Sequence, residues 1–204
     1  MNSDISVIVP YYNESKTIIY TLEQIANQTL KADYAIFINS SSSDNTYSII
    51  NEWITLNQKK FSTIFKNINR GTNTPASSKN AGILEATTIW IAFMDCGQQF
   101  KTDWLQLQQE YLTKHLLEIV SGNVKLSGLN WIDRCAASHT YGYKRLRPCI
   151  PTTLLRKNIF DKTGLFLENR RAGYDAAWPI KLKKLNIQRG INPKVVIEYL
   201  ETNN

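Results

Sequence analysis

The sequence predicts an α/β fold in which a mostly parallel β-sheet is flanked by helices on both faces. Apolar runs typical of buried strands alternate with amphipathic segments typical of helices, at the spacing of β-α-β units. Polar residues follow directly after several apolar runs, which is where such sheets bind their ligands. We expect a single domain over residues 1–204, a length that suffices to bury a substantial core.

Hydrophobic periodicity assigns the elements in chain order. Apolar runs predict strands at residues 5–10, 34–39, 61–67, 88–95 and 118–127. Helical periodicity predicts helices at residues 15–30, 46–57, 79–87, 103–118 and in the segment opened by Asp175. Ser15 is the expected N-cap of the first helix, and residues 69–78 are expected to form a polar loop.

Composition and charge restrict the class of protein. No apolar run approaches the roughly 20 residues of a membrane span, and the N-terminus lacks the basic region of a signal peptide, so we expect a cytoplasmic protein. The spacing of the three cysteines, Cys96, Cys135 and Cys149, indicates neither a disulfide framework nor a zinc site. Within a net charge of +7, residues 134–189 hold 13 Lys or Arg against three acids. This basic segment favours phosphorylated substrates, nucleic acid or peripheral contact with an anionic membrane, and the alternative is a solvated basic face.

The polar stretches after the strands are the candidate ligand site. PYYNES follows the first predicted strand, NSSSSDNT the second and DCGQQ the fourth. Neither a G-x-G-x-x-G nor a P-loop pattern is present, which disfavours a Rossmann dinucleotide site and a P-loop. Asp95 ends an apolar run, and because a buried carboxylate without a role is costly, we expect it to be functional.

These stretches resemble the inverting family 2 glycosyltransferases of the GT-A fold. The similar segments, in the family's order, are SVIVPYYNES, LEQIANQTLKADYAIFINSSSSDNT, SSKNAGILEATTIWIAFMDCGQQF, LLRKNIFDKTGLFLE and GYDAAWPIKLKKLNI. Together they span residues 5–190. The resemblance implies a GT-A-like fold, as in nucleotide-diphospho-sugar transferases. It also implies transfer of a sugar, with inversion, from a nucleotide sugar (a UDP-sugar is expected) to a glycan, lipid-linked or protein acceptor hydroxyl.

The resemblance implies a nucleoside pocket built from two of the polar loops. Pro10, Tyr12 and Glu14 match the family's P-x-Y-N-E loop, in which the tyrosine offers an apolar face and the glutamate accepts hydrogen bonds. The alternative for Tyr12 is an aromatic packed beneath the sheet edge. Asn39 and Ser40 stand where the family usually has two Asp, so they offer hydrogen bonds without charge.

Asp95 matches the first Asp of the family's D-x-D motif, whereas Gly97 occupies the place of the second, the usual metal ligand. Lys79 stands at the arginine of the A-R-N motif, from where an ammonium group reaches the donor phosphates; the alternative is a solvated helix lysine. Three outcomes remain open. Asp95 holds Mn²⁺ or Mg²⁺ with the help of water, the site is inactive, or the diphosphate is neutralised without metal by Lys144, Arg145 and Arg147.

Asp175 matches the catalytic Asp of the family's E-D motif, which implies that it is the general base on the acceptor hydroxyl. The alternative is that it caps the following helix. On the acceptor side, the candidates whose rings suit a sugar face are Trp131, His139 and Tyr143, with simple packing as the alternative.

Two other classes of function compete with the transferase. The first is a catalytically silent GT-A-like protein that binds a nucleotide or a glycan, favoured by Asn39, Ser40 and Gly97. The second is a nucleic-acid binder, favoured only by the basic segment. No nucleic-acid reading motif accompanies that segment, so we expect no nucleic-acid partner.

Overall fold

The structure is a computed structural model that describes residues 3–71, 74–125, 146–168 and 174–199. The strands in these ranges are β1 (Ile5–Tyr11), β2 (Tyr34–Asn39), β3 (Ile64–Asn69), β4 (Trp90–Phe93), β5 (Gln98–Gln99), β6 (Ile119–Lys125), β7 (Arg147–Pro148), β8 (Leu154–Arg156) and β9 (Arg189–Tyr199). The helices are α1 (Ile18–Ala26), α2 (Thr46–Asn57), α3 (Pro75–Glu85), α4 (Trp104–Lys114), α5 (Ile159–Thr163) and α6 (Tyr174–Lys184). None of these helices has the length and apolar composition that crossing a membrane requires.

The described strands form one sheet in the order β3-β2-β1-β4-β8-β6-β9-β5, with β7 paired to β6. Strand β1 runs parallel to β2 and β4, and β2 runs parallel to β3. The sheet continues through β8, which is antiparallel to β4 and β6, and β6 runs parallel to β9. The prediction of a mostly parallel sheet is confirmed.

The two faces of the sheet carry different helices. Alternate residues of β1 point to opposite faces, so Val7 and Val9 join one apolar cluster and Ile8 joins the other. The first cluster is completed by residues of α1, α2 and α4, and the second by residues of α3, α5 and α6. Helices therefore cover both faces, as the near-continuous apolar strands predict.

Helix α1 is shorter than its periodicity predicts, and Ser15 is not its N-cap. The helix begins at Ile18 because residues 14–17 form a turn in which the Glu14 carbonyl accepts the N–H groups of Thr17 and Ile18. The Ser15 N–H donates instead to the Asp44 carboxylate at 3.2 Å. The helix ends at Ala26, and the Thr29 N–H donates to the Thr102 carbonyl at 2.8 Å.

Helix α3 begins four residues before its predicted start, inside the predicted polar loop. Thr74 is its N-cap: the Thr74 hydroxyl accepts the Ser77 N–H at 3.1 Å, and the Ser77 hydroxyl accepts the Thr74 N–H at 3.1 Å. Pro75 suits the first helical position because the N–H that it lacks has no partner there. Serine replaces the Glu or Gln of the usual capping box, which explains why the sequence pattern was missed.

We expect Gly82→Ala to destabilise the protein, because Gly82 is the point at which α3 meets β1. A Cβ added at Gly82 would lie 2.3 Å from Ile8 Cγ2. We expect the free energy of unfolding to fall by about 1–2 kcal/mol in urea denaturation, since overpacking outweighs the better helix propensity of alanine. In an Ile8→Ala background the same change should be neutral or stabilising. A loss of equal size in both backgrounds would contradict this contact.

Candidate functional site

Three of the polar loops meet at the carboxyl ends of neighbouring strands in the sheet. Strands β2, β1 and β4 are neighbours and parallel, so the loops after Asn39, Tyr11 and Phe93 leave the sheet side by side. Tyr11 is the packed aromatic of this edge, with its hydroxyl donating to Asn67 Oδ1 at 2.7 Å. The side chain of Tyr12 is 55% exposed, so the alternative of a packed Tyr12 is wrong.

The loop after β1 and the loop after β2 are locked together through Asn13. Its side-chain oxygen accepts the Ser43 N–H at 2.8 Å, and its own N–H donates to the Ser42 hydroxyl at 3.0 Å. Asn13 and Ser41 hold positive φ angles of 54° and 62°, the region in which asparagine is better tolerated than most residues. Two strained loops that brace each other form a fixed wall rather than two independent turns.

The pKa values of two carboxylates in this wall are shifted in opposite directions. Burial raises the pKa of the Asp44 carboxyl, but hydrogen bonds from Thr46 and Ser15 outweigh it and leave that pKa below its usual value. Burial raises the pKa of Glu14; the hydrogen bond from the Thr17 hydroxyl offsets part of this rise, and the nearby charges of Asp95 and Asp44 add to it. Asp44 accepts the N–H of Thr46, the first residue of α2, although Asn45 occupies the N-cap position.

Asn39 and Ser40 are engaged within the protein. Asn39 is 4% exposed, and its side-chain oxygen accepts the Ser42 N–H at 2.9 Å. The Ser40 hydroxyl lies 2.6 Å from the Ser78 hydroxyl on α3. Both residues stand at the predicted edge of the sheet, and their contact with a base stays a prediction.

Lys79 is buried and paired with Asp95. Its Nζ donates to Asp95 Oδ1 at 2.8 Å, and the exposed fractions of the two side chains are 1% and 35%. The alternative of a solvated helix lysine is therefore wrong. The contact with donor phosphates predicted for Lys79 stays untested, and the described partner of its ammonium group is the carboxylate that follows β4.

The described residues do not offer the ligand set of a divalent cation. Asp95 is shared with the ammonium of Lys79, and the Glu14 carboxylate accepts the Thr17 hydroxyl. Gly97 has a φ of +70°, and a Cβ added there would meet no described atom within 4 Å. No group of three His, Cys, Asp or Glu side chains suited to a metal occurs within the described ranges. Hard cations bound between phosphates prefer carboxylate oxygens, and here only Asp95 stands at the motif.

The charge of Asp95 acts on two thiols, those of Cys96 and Cys149. Burial, together with the charges of Glu14 and Asp95, raises the pKa of the Cys96 thiol. Burial also raises the pKa of Cys149, to about 12, and the charge of Asp95 adds to this rise. Because the thiolate is the nucleophile and metal ligand, thiols with raised pKa values are inert at neutral pH. Both cysteines therefore act as small apolar wall residues.

Helix α6, which contains the predicted general base Asp175, is anchored to Thr163 at the end of α5. Trp178 Nε1 donates to the Thr163 hydroxyl at 3.2 Å, and Lys181 Nζ donates to the Thr163 carbonyl at 3.0 Å. Asp175 is the second residue of α6, inside the helix rather than at its N-cap position. Its side chain lies outside the description, so its role as the base stays a prediction.

The remaining predicted residues lie outside the description. These are the acceptor-side Trp131, His139 and Tyr143, and the basic Lys144 and Arg145. Arg147 begins β7, and only its backbone is described.

Two buried glutamines that sequence reasoning passed over hold the segment after Asp95. Gln24 Nε2 donates to the Gln98 carbonyl at 2.9 Å, and its Oε1 accepts the Phe100 N–H. Gln28 Nε2 donates to the Lys101 carbonyl at 2.9 Å, and its Oε1 accepts the Leu105 N–H at 3.1 Å. A signal was present, because both glutamines fall four residues apart on the apolar face of the predicted first helix.

Asn80 is the third residue that sequence reasoning passed over. It is buried next to Lys79 on α3, and its amide donates to the Phe166 carbonyl at 2.9 Å and to Glu168 Oε1 at 2.8 Å. Its side-chain oxygen accepts the Phe166 N–H at 3.0 Å. This contact ties α3 to the segment between α5 and α6, from which Asp175 follows.

The chain matches a known protein family over most of its length. The sequence model of the family described as Glycosyl transferase family 2 matches residues 6–175. A Rickettsia bellii protein named as a glycosyltransferase is 27% identical over 205 aligned residues, which cover 95% of this chain. That alignment covers 28% of the Rickettsia protein, so the chain spans less than a third of this relative's length.

Solved structures share the fold. The Staphylococcus aureus TarS 1–349 structure in complex with UDP-GlcNAc superposes with a TM-score of 0.75 at 18% identity, covering 100% of this chain and 60% of TarS 1–349. The Pyrobaculum calidifontis mannosyltransferase PcManGT, in complex with GDP-Man and Mn²⁺, superposes with a TM-score of 0.74 at 18% identity, covering 100% of this chain and 59% of that one. The predicted GT-A-like fold is confirmed.

We expect Asp95→Ala to destabilise the protein more than Lys79→Met. Removing the carboxylate deprives a buried ammonium of its ion pair with Asp95, which costs on the order of 3 kcal/mol. Lys79→Met removes the buried charge and keeps most of the packed stem, while Asp95 keeps access to water, so the loss should be about 1 kcal/mol or less. Urea denaturation of the two variants measures the difference. Equal losses would show that the ion pair carries little of the local stability.

We expect opposite pH signatures from Glu14→Gln and Asp44→Asn. A raised folded-state pKa means that charged Glu14 costs stability above that pKa, so Glu14→Gln should be more stable than wild type at pH 7. This gain should vanish as pH falls below about 4.3, the unfolded value. Asp44 has a lowered folded-state pKa, so Asp44→Asn should be less stable at pH 7, and its deficit should vanish as pH falls through that pKa, below about 3.9.

The free energy of unfolding, measured between pH 3 and pH 7, reports both differences. Each variant serves as the matched control of the other, because both lose one negative charge in the same wall. Differences of the same sign at pH 7 would contradict the opposite shifts.

Proposed function

The chain belongs to glycosyl transferase family 2, and from that premise we propose that it transfers a sugar from a nucleotide-sugar donor to an acceptor hydroxyl with inversion. The observation that carries the proposal is the meeting of three polar loops at the carboxyl ends of β1, β2 and β4. That edge is the general ligand-binding position of open α/β sheets. We also propose that the whole chain is one domain.

In the proposed reaction, the acceptor oxygen forms a bond to the anomeric carbon while the bond from that carbon to the donor diphosphate breaks. The acceptor proton passes to the carboxylate of Asp175, and the electron pair of the broken bond leaves with the nucleoside diphosphate. Attack on the face opposite the leaving group inverts the anomeric centre. General-base catalysis of this kind contributes about 10²–10⁴ to the rate.

The proposed donor pocket is the wall formed by the β1 and β2 loops. Tyr12 offers an exposed ring for a base, and Pro10 and Glu14 flank it. Asn39 and Ser40 complete the pocket without bringing a charge. The donor is proposed to be a UDP-sugar, as UDP-GlcNAc is in the TarS complex, and the GDP-Man complex of the Pyrobaculum enzyme names the competing base. The proposed acceptor side is Trp131, His139 and Tyr143.

A catalytically silent nucleotide-binding or glycan-binding protein is the second candidate. The observation in its favour is the Lys79–Asp95 pair, since Asp95 is the one carboxylate at the motif and a protein side chain already engages it. Both candidates share the donor pocket and differ only in turnover. The cytoplasmic location and a peripheral membrane contact through residues 134–189 stay predictions.

We expect UDP-sugars to raise the melting temperature of the protein in a thermal-shift panel that also contains GDP-sugars, and the accepted sugar to be hydrolysed slowly. The shift follows from binding to the folded state alone. A thermal shift without hydrolysis or transfer would favour the silent binder. Absence of a shift across the whole panel would contradict the donor pocket.

We expect Asp175→Asn to lower kcat by about 10²–10⁴ and to leave the Kd of the nucleotide unchanged, because the amide cannot accept the acceptor proton. The matched control is Asp161→Asn, which removes the same charge from the exposed face of α5 in the same basic segment. Steady-state kinetics and isothermal titration calorimetry separate the two parameters. Unchanged turnover in Asp175→Asn would show that another group is the base.

A further inference from the structure

We infer that this chain binds its nucleotide-sugar donor without a divalent cation, and that Lys79 is the positioning residue that takes the place of a metal beside Asp95. The inference rests on the proposed function, because it concerns the same donor pocket. It is carried by the disagreement between the metal-binding motif of this fold and the residues that stand there.

Lys79 and Asp95 together set the charge at the motif. Asp95 Oδ1 accepts a hydrogen bond from Lys79 Nζ at 2.8 Å, and the lysine side chain is 1% exposed. A carboxylate and an ammonium held at contact distance form a neutral pair. A divalent cation on Asp95 would have to approach this buried ammonium, and the repulsion between like charges is poorly screened there.

The motif holds one carboxylate, that of Asp95, instead of two. Gly97 supplies no side chain at the second position of the motif, and Glu14 lies in the adjoining loop with its carboxylate engaged by Thr17. The donor set in the described ranges is one carboxylate that already has a cationic partner.

The Lys79–Asp95 pair also changes the charge that the donor diphosphate meets. Because Lys79 neutralises Asp95, the motif presents no net negative charge to an incoming diphosphate, which removes the repulsion that a metal otherwise overcomes. No bond in the transfer needs a further reactant under this arrangement.

The test is the Kd of UDP and of GDP, measured by isothermal titration calorimetry in EDTA and again with Mn²⁺. We expect the Kd of the nucleotide that binds to differ by no more than about threefold between the two conditions, because the neutral pair offers the metal no free carboxylate. Tightening by more than about threefold with Mn²⁺ would overturn the inference and leave the proposed function standing. Failure of both nucleotides to bind under either condition would count against the proposed function itself.

A pair of variants tests the role of Lys79. Lys79→Met combined with Gly97→Asp frees Asp95 and restores a second carboxylate, for which the space at Gly97 is open, although its φ of +70° adds strain. We expect this double variant to gain Mn²⁺-dependent nucleotide binding of about tenfold or more, and Gly97→Asp alone to gain less. Lys79→Arg keeps the cation and should remain indifferent to Mn²⁺.

Direct Mn²⁺ binding, followed by electron paramagnetic resonance without nucleotide, gives a readout that is independent of activity. We expect an added Mn²⁺ site in the double variant and none in the wild type. Circular dichroism and the melting temperature establish that each variant is folded. A folded double variant that remains indifferent to Mn²⁺ in both measurements would show that Lys79 does not exclude the metal, and would overturn its assigned role.

Discussion

The ion pair between Lys79 and Asp95 is the interaction on which the edge of the sheet depends. A carboxylate at the end of a buried strand needs a partner, and here a lysine from the next layer supplies it. Lys79 reaches Asp95 because α3 lies directly on β1, with Gly82 allowing the close approach to Ile8. The packing of one helix against one strand therefore sets the electrostatics of the motif.

Around this pair, polar side chains form hydrogen bonds that hold the loops in place. Asn13 and Asp44 join the first two loops, and Gln24 and Gln28 hold the segment after Asp95. Buried amides satisfied on several sides act as rigid struts, since breaking one leaves polar groups unpaired. Among the described residues of these loops, Tyr12 keeps an exposed ring.

The period of the apolar residues predicted β1, β2, β3, β4 and β6, the helices on both faces and the meeting of three loops, because burial on both faces of a parallel sheet leaves a strong pattern in the sequence. It did not predict β5, β7, β8 and β9. The partners of individual polar residues could not be predicted in this way. In the sequence, Lys79 looks like any exposed lysine of a helix. Its position on the inner face of α3 directs its side chain toward Asp95. The start of α3 was missed for a local reason, since Ser77 closes its capping box in place of a longer acceptor.

Lys79 and Asn80 are consecutive on α3, and they hold different halves of the molecule. Lys79 binds Asp95, two residues after β4, whereas Asn80 binds the segment that leads from α5 into α6. One helical turn thus acts as a common clamp for the side that would carry the departing phosphates and the side that would carry the proton acceptor. A shift of α3 along β1 would displace both contacts at once, so the segment after β4 and the segment after α5 are coupled through neighbouring residues of one helix.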